Sequence, residues 1–121
     1  PNIHIEDMTD LYVKSLECPY EKIHGKIFNA GYDNKKVIEI AETIQDVIGE
    51  GVEIVRTPTD DNRSYHISSQ KIKNELGFAP ERTIKDAAAD LVGAFEAGKI
   101  PDSMSDDRYY NIKVMQNINL K

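Results

Sequence analysis

The 121-residue chain has no tryptophan and only one cysteine, Cys18. A lone thiol cannot close an internal disulfide. His4, His24 and His66 lie far apart with no second cysteine beside them, so no zinc-ligand spacing exists and no metal site is expected. No apolar run approaches the roughly twenty residues that cross a bilayer, and no signal-peptide pattern is present. Basic residues are in the minority, 15 against 21 acids for a net charge of -6, and they are scattered. That balance argues against a nucleic-acid duplex or an anionic membrane as partner. Neither G-x-G-x-x-G nor G-x-x-x-x-G-K-[ST] occurs, so the chain has no dinucleotide or triphosphate loop of its own. These absences describe a reduced, cytoplasmic protein in which any anionic ligand is held locally.

What remains is globular composition, 40% hydrophobic and 30% charged. At this length one domain over residues 1–121 is expected, burying about two thirds of the surface that its unfolded form exposes. "NIHIED" alternates as a strand does, and Asp7, with Asp10 three residues on, stands as the N-cap of a helix running to about Leu16. "KIFNAG" reads as a second strand. Asn34 then caps a helix with Val37, Ile40, Ala41, Ile44 and Ile48 on one face, stopped by Gly49 and Gly51. "VEIV" reads as a third strand. Past a polar loop, Ser68 or Ser69 caps a short helix with Ile72 and Leu76, closed by Gly77 and kept closed by Pro80. Thr83 caps the most regular helix, with Ile84, Ala87, Ala88, Leu91, Val92 and Phe95 at helical spacing and Gly98 past its end. The alternation predicts an α/β fold: a small, mostly parallel sheet with flanking helices. A sheet of three short strands has bare edges, and the chain opens at Pro1 directly in an apolar alternation; both features read as a fragment or a trimmed chain.

Few residues offer chemistry. Tyr32 with Lys36, and Tyr109 with Lys113, match the Tyr-x-x-x-Lys spacing by which a lysine can lower a phenol's pKa across one helix face. Tyr32 precedes the Asn34 cap, however, so that pair is not one turn apart on a helix. Both matches are read as chance, and no catalytic residue is assigned. The acid pairs Glu6-Asp7, Asp60-Asp61 and Asp106-Asp107 are adjacent, point apart, and read as solvated acids or caps. Arg63 is more informative. It lies in the loop "DDNRSY" beside a helix start, with Arg56 at the loop's other end, and a guanidinium fork suits phosphate oxygens. A plain ion pair of Arg63 with Asp60 or Asp61 is the competing reading.

The succession "IHIEDMTDLYVKSLE", "GKIFNAGYDNKKVIEIAETI", "DDNRSYHISSQKIKNELGFAP" and "TIKDAAADLV" resembles the C-terminal portion of the extended short-chain dehydrogenase/reductases, and more closely their NAD-dependent nucleotide-sugar epimerases and dehydratases. The resemblance rests on order and spacing: His4-Ile5-Glu6-Asp7, Asn29-Ala30-Gly31, then Ser69 to Pro80. The tail "SMSDDRYYNIKVMQ" is similar to the end of one branch that handles bacterial surface-sugar precursors. The resemblance implies the substrate-binding part of a Rossmann-type enzyme, in which Arg63 holds the diphosphate of a nucleotide-sugar. Tyr65 and Ser69 would shape the loop and cap the helix. It also implies that the NAD-binding Rossmann half and its catalytic tyrosine lie outside this chain, which then holds no cofactor and is inactive alone. That half would be the chain's partner, and its absence would favour self-association. The alternative is a freestanding, non-catalytic α/β interaction module. Calorimetric titration of NAD into the 121-residue chain should give no micromolar binding; such binding would place the cofactor on this side of the enzyme.

Overall fold

In a computed structural model the chain is described over residues 1–49, 51–58, 60 and 64–118. Its elements are α1 (Ile5–Glu17), α2 (Tyr20–Ile23), α3 (Val37–Ile48), α4 (Gln70–Leu76), α5 (Ile84–Glu96), a 3₁₀ turn (Asp107–Tyr109) and α6 (Asn111–Asn117). The chain divides into two compact units, Pro1–Asp90 and Leu91–Lys121.

The expected α/β fold with a small, mostly parallel sheet is not what forms. Among the described residues there is no strand, only one isolated antiparallel bridge between Asn2 and Asp33. The reason lies in what a strand needs: apolar alternation supplies a face, but only a neighbouring backbone makes a ladder. "NIHIED" is taken over by α1, which starts at Ile5 with His4 as its N-cap; His4 Nδ1 accepts from Glu6 N at 3.2 Å. The other two segments form no regular structure, and one carbonyl of each is met by a side chain. Lys71 Nζ donates to Ile27 O, and Gln45 Nε2 donates to Val52 O. Ile27 and Val55 face solvent as a result.

The helix ends follow the sequence more closely. Gly77 adopts φ 63°, the left-handed region that glycine enters without a Cβ penalty, and its N–H bonds Lys73 O to close α4. At α5, Thr83 and Asp86 form a reciprocal cap. The Asp86 carboxylate accepts from Thr83 N and Oγ1, both at 2.7 Å, while Thr83 Oγ1 accepts from Asp86 N at 3.2 Å. The Thr83 hydroxyl and amide hold the Asp86 carboxyl below its ordinary value. α3 starts at Lys36, not Asn34, with Glu39 Oε2 accepting from Lys36 N.

Among the described residues of the unit Pro1–Asp90 the buried set is small: Ile72 of α4, Phe78, Ala88 of α5, and two polar residues, His4 and Asp7. Glu6-Asp7 was expected to be solvated or capping, and for Asp7 the structure corrects this. Its side chain is 3% exposed and binds the segment ahead of α5: Oδ2 accepts from Glu81 N at 3.1 Å and Arg82 N at 3.0 Å, and Oδ1 accepts from Arg82 Nη1 at 2.6 Å. Glu6 and Asp10 also bind the Arg82 guanidinium, at 2.8 and 3.0 Å. His4 Nε2 faces Asp90 at 3.3 Å, a second link from α1's start to α5. With this clasp α1 turns Asp7 inward together with the half-buried Met8 and Leu11. A second apolar stripe, Ile5 (74% exposed), Tyr12 and Leu16 (88% exposed), looks outward.

In the unit Leu91–Lys121, Gly98 at φ 65° ends α5, with Gly98 N bonded to Phe95 O and Lys99 N to Ala94 O. Asp106 caps the 3₁₀ turn through Arg108 N at 2.9 Å, and Asp107 pairs with Lys113 at 2.9 Å. Here the acid pair does consist of a cap and a surface acid.

Burial opposes ionisation of Asp7, but the backbone bond from Arg82, its guanidinium bond, the Glu81 amide and the attraction of the Arg82 charge outweigh it, so the carboxyl sits below its ordinary value. A depressed carboxylate stabilises the fold above its unfolded pKa, about 3.9, and that contribution is lost as pH falls through the folded value. Denaturant unfolding should therefore show stability dropping below about pH 4. Asp7→Asn should cost about 1–3 kcal/mol at pH 7 and flatten the acid limb; an unchanged acid limb would mean that the clasp is not ionic.

Candidate functional site

Two segments singled out in the sequence, Asn29–Gly31 and Ser69–Pro80, come together. The Ser69 hydroxyl accepts from Gly31 N at 2.9 Å and donates to Gly31 O at 2.8 Å. Nearby, the Asn34 carboxamide brackets Ile67, donating to Ile67 O at 2.9 Å and accepting from Ile67 N at 3.0 Å. The two pairs run in opposite chain directions, as rungs of an antiparallel pair would, but a side chain stands in for one backbone on each rung. A Cβ at Gly31 would lie 2.8 Å from Ile67 Cδ1, the movable end of that side chain, and 3.4 Å from Asn2 O, so the approach is close. Ser69 and Asn34, both expected to cap helices, are thus drawn into a tertiary bridge. Ser69 stands at the N-cap position of α4 without a side-chain cap bond.

Between these segments lies a cleft of about 270 Å³, walled by Tyr32, Asp33, Ile67, Ser68, Gln70 and Lys73, with Phe78, Ala79 and Pro80 as apolar lining. The Asn34 amide and then Lys35 hold the Asp33 carboxyl below its ordinary value, so it is ionised at neutral pH. Tyr32 also borders two further clefts, one of about 180 Å³ with His4 and Arg82, the other of about 290 Å³ with Lys35 and Lys85.

The residues expected to carry function fall unevenly on this geometry. Arg63 lies outside the described residues, as does Asp61. Arg56 is exposed in a stretch without regular structure and contributes to none of these three clefts. Tyr65 is exposed. Neither tyrosine-lysine match shares a helix: Tyr32 precedes α3 and Lys36 is its N-cap, while Tyr109 ends the 3₁₀ turn and Lys113 sits in α6, bound to Asp107. Among the described residues no group of His, Cys, Asp and Glu is placed to hold a metal ion, and no helix is long and apolar enough to cross a membrane. The Asp7–Arg82 clasp was missed, since its partners are 75 residues apart and no local pattern joins them. The signal available was the acidic first turn of α1 facing a basic residue just ahead of the Thr83 cap.

Over 84 residues the chain is 34% identical to the UDP-glucose 4-epimerase of Corynebacterium glutamicum. The similarity is to a sugar-nucleotide epimerase. It takes in 67% of this chain and 25% of that protein, so the matched stretch spans a quarter of the relative's length. No protein-family model matches the chain, and no solved structure matches it significantly.

Ser69→Ala removes both bonds to Gly31 and should cost about 1–2 kcal/mol. The sign of a bridge, as opposed to a cap, is where protection is lost. Hydrogen exchange should quicken at the Gly31 amide while the Gln70 and Lys71 amides stay unchanged; the reverse pattern would restore Ser69 to a capping role.

Proposed function

We propose that this chain is the nucleotide-diphosphate-sugar binding part of an NAD-dependent sugar epimerase or dehydratase, and that it does not catalyse by itself. The observation that carries the reading is the 34% identity to UDP-glucose 4-epimerase. The order of the motifs supports it, and so does the way the structure gathers them: α1's first turn is tied to Arg82, and Gly31 is tied to Ser69.

Arg63 is the residue proposed to clamp the diphosphate, its fork of donors meeting two or more phosphate oxygens, with Arg56 supporting the same loop. In such an enzyme NAD supplies hydride chemistry. NAD is proposed to be held outside this chain, whose sequence contains no G-x-G-x-x-G. This chain's share is to bind and orient the substrate. The remainder of a longer polypeptide is the proposed partner, and the outward stripe of Ile5, Tyr12 and Leu16 gives it an apolar face to meet. The same stripe is what favours a second reading, a non-catalytic interaction module.

The test is titration of UDP-glucose into the chain and its variants. Arg63→Ala should weaken binding roughly tenfold to a hundredfold, the effect of losing one charge-assisted hydrogen bond or more. Arg63→Lys should recover part of it, keeping the charge but not the planar fork, and Arg56→Ala should have a smaller effect. If Arg63→Ala lowers the melting temperature and leaves affinity intact, the residue is a structural partner of Asp60 or Asp61.

A further inference from the structure

His4 is a buried titratable group that the nucleotide-sugar reading leaves unused. The residue is 5% exposed, and its two ring nitrogens serve two different elements. Nδ1 accepts from Glu6 N at 3.2 Å and so caps α1, while Nε2 faces Asp90 Oδ2 of α5 at 3.3 Å. A ring nitrogen that accepts carries no proton. The bond from Glu6 therefore fixes the imidazole as the neutral tautomer with its proton on Nε2, turned toward the Asp90 carboxylate.

A proton added at Nδ1 would set one N–H against another across 3.2 Å. Whether the ring then turns away or the first turn of α1 lifts, the cap bond is lost. The charged groups around the ring do not restore it. Asp90 pairs with Nε2 in either protonation state, and at 66% exposure its pull is screened by water. Asp86, whose carboxylate is held chiefly by Thr83, also feels a charge on His4. Both acids welcome a proton on the ring, and neither replaces the acceptor that Glu6 N loses. Arg82, on the same cleft, is met by Glu6, Asp7 and Asp10, and its charge opposes a second cation. Tyr32 borders that cleft too, and α3 contributes the apolar Ile40. We propose that His4 is a proton-operated latch on the first turn of α1: neutral, it caps the helix that carries Glu6 and Asp7 to Arg82, and protonated, it releases that cap. The capped form holds no proton on Nδ1 and the opened form takes one. The cap is therefore complete at alkaline pH and is lost as pH falls through the range in which histidines titrate. The latch involves no ligand and is independent of the nucleotide-sugar reading.

The test is nuclear magnetic resonance of the full chain between about pH 8 and pH 5, following the His4 ring nitrogens and the exchange protection of the Glu6 amide relative to an unstructured amide at each pH. At the alkaline end the ring proton should sit on Nε2. As the ring takes up its second proton, Glu6 protection should fall in step, by about fivefold, the effect of losing one cap. His4→Asn keeps a capping acceptor and has nothing to titrate, so its Glu6 protection should be the same at both ends of the range, although the exposed His24 and His66 remain. Four results would overturn the proposal: a proton on Nδ1 at the alkaline end, a ring that stays neutral throughout, a ring that is protonated with Glu6 protection unchanged, or an asparagine variant that loses protection as the parent does. If that variant melts early, the comparison of ring and amide in the parent chain decides.

Discussion

The buried carboxylate of Asp7 is the constraint on which the arrangement of the first unit depends. Removing a charge from water costs several kcal/mol unless donors replace the lost hydration, and here two backbone amides and a guanidinium do so. The geometry fixes three things at once: the rotation of α1, the path of the chain between Phe78 and Thr83, and the start of α5. A core in which, among the described residues, Ile72 is the one fully buried large side chain would not do this through apolar packing. Orientation by a charge, with Met8 and Leu11 half-buried beside Asp7, leaves the second apolar stripe of Ile5, Tyr12 and Leu16 in solvent.

Legibility divides along the same line between local and distant chemistry. The Thr83–Asp86 cap and the glycine stops at Gly77 and Gly98 were readable because each depends on residues within a turn of one another. The strands were not. "KIFNAG" and "VEIV" alternate correctly, but a strand is a property of two segments, and these meet a lysine and a glutamine side chain instead of a ladder. Asn34, and Ser68 or Ser69, read as caps because these residue types favour caps; Ser68 Oγ does accept from Gln70 N, but the partners of Asn34 and Ser69 lie 33 and 38 positions away. Asp7 was misjudged for the same reason. Of the candidate site, the segments around Gly31 and Ser69 were legible as motifs, whereas the cleft that they frame was not, and Arg63 lies outside the described residues.

The functional reading gains from this geometry in a limited and specific way. Segments that look like unrelated short motifs along the chain are tied pairwise, α1's first turn to Arg82 and Gly31 to Ser69, so their order in sequence corresponds to contacts in space. Lys36 stands at the N-cap of α3 and Lys113 in a surface ion pair with Asp107, so neither tyrosine-lysine match shares one helix face.

The most direct test of the clasp is native-state hydrogen exchange at the Glu81 and Arg82 amides. Both donate to a carboxylate on a helix that begins more than seventy residues earlier in the chain, so they can open only when the clasp opens. If the Asp7 site holds the unit together, these two amides should exchange with the free energy of global unfolding, together with those of Gly31 and Ile67. Exchange of Glu81 and Arg82 at the rate of an open loop, while Gly31 and Ile67 remain protected, would show that the bridge around the cleft stands without the clasp, and would contradict the account.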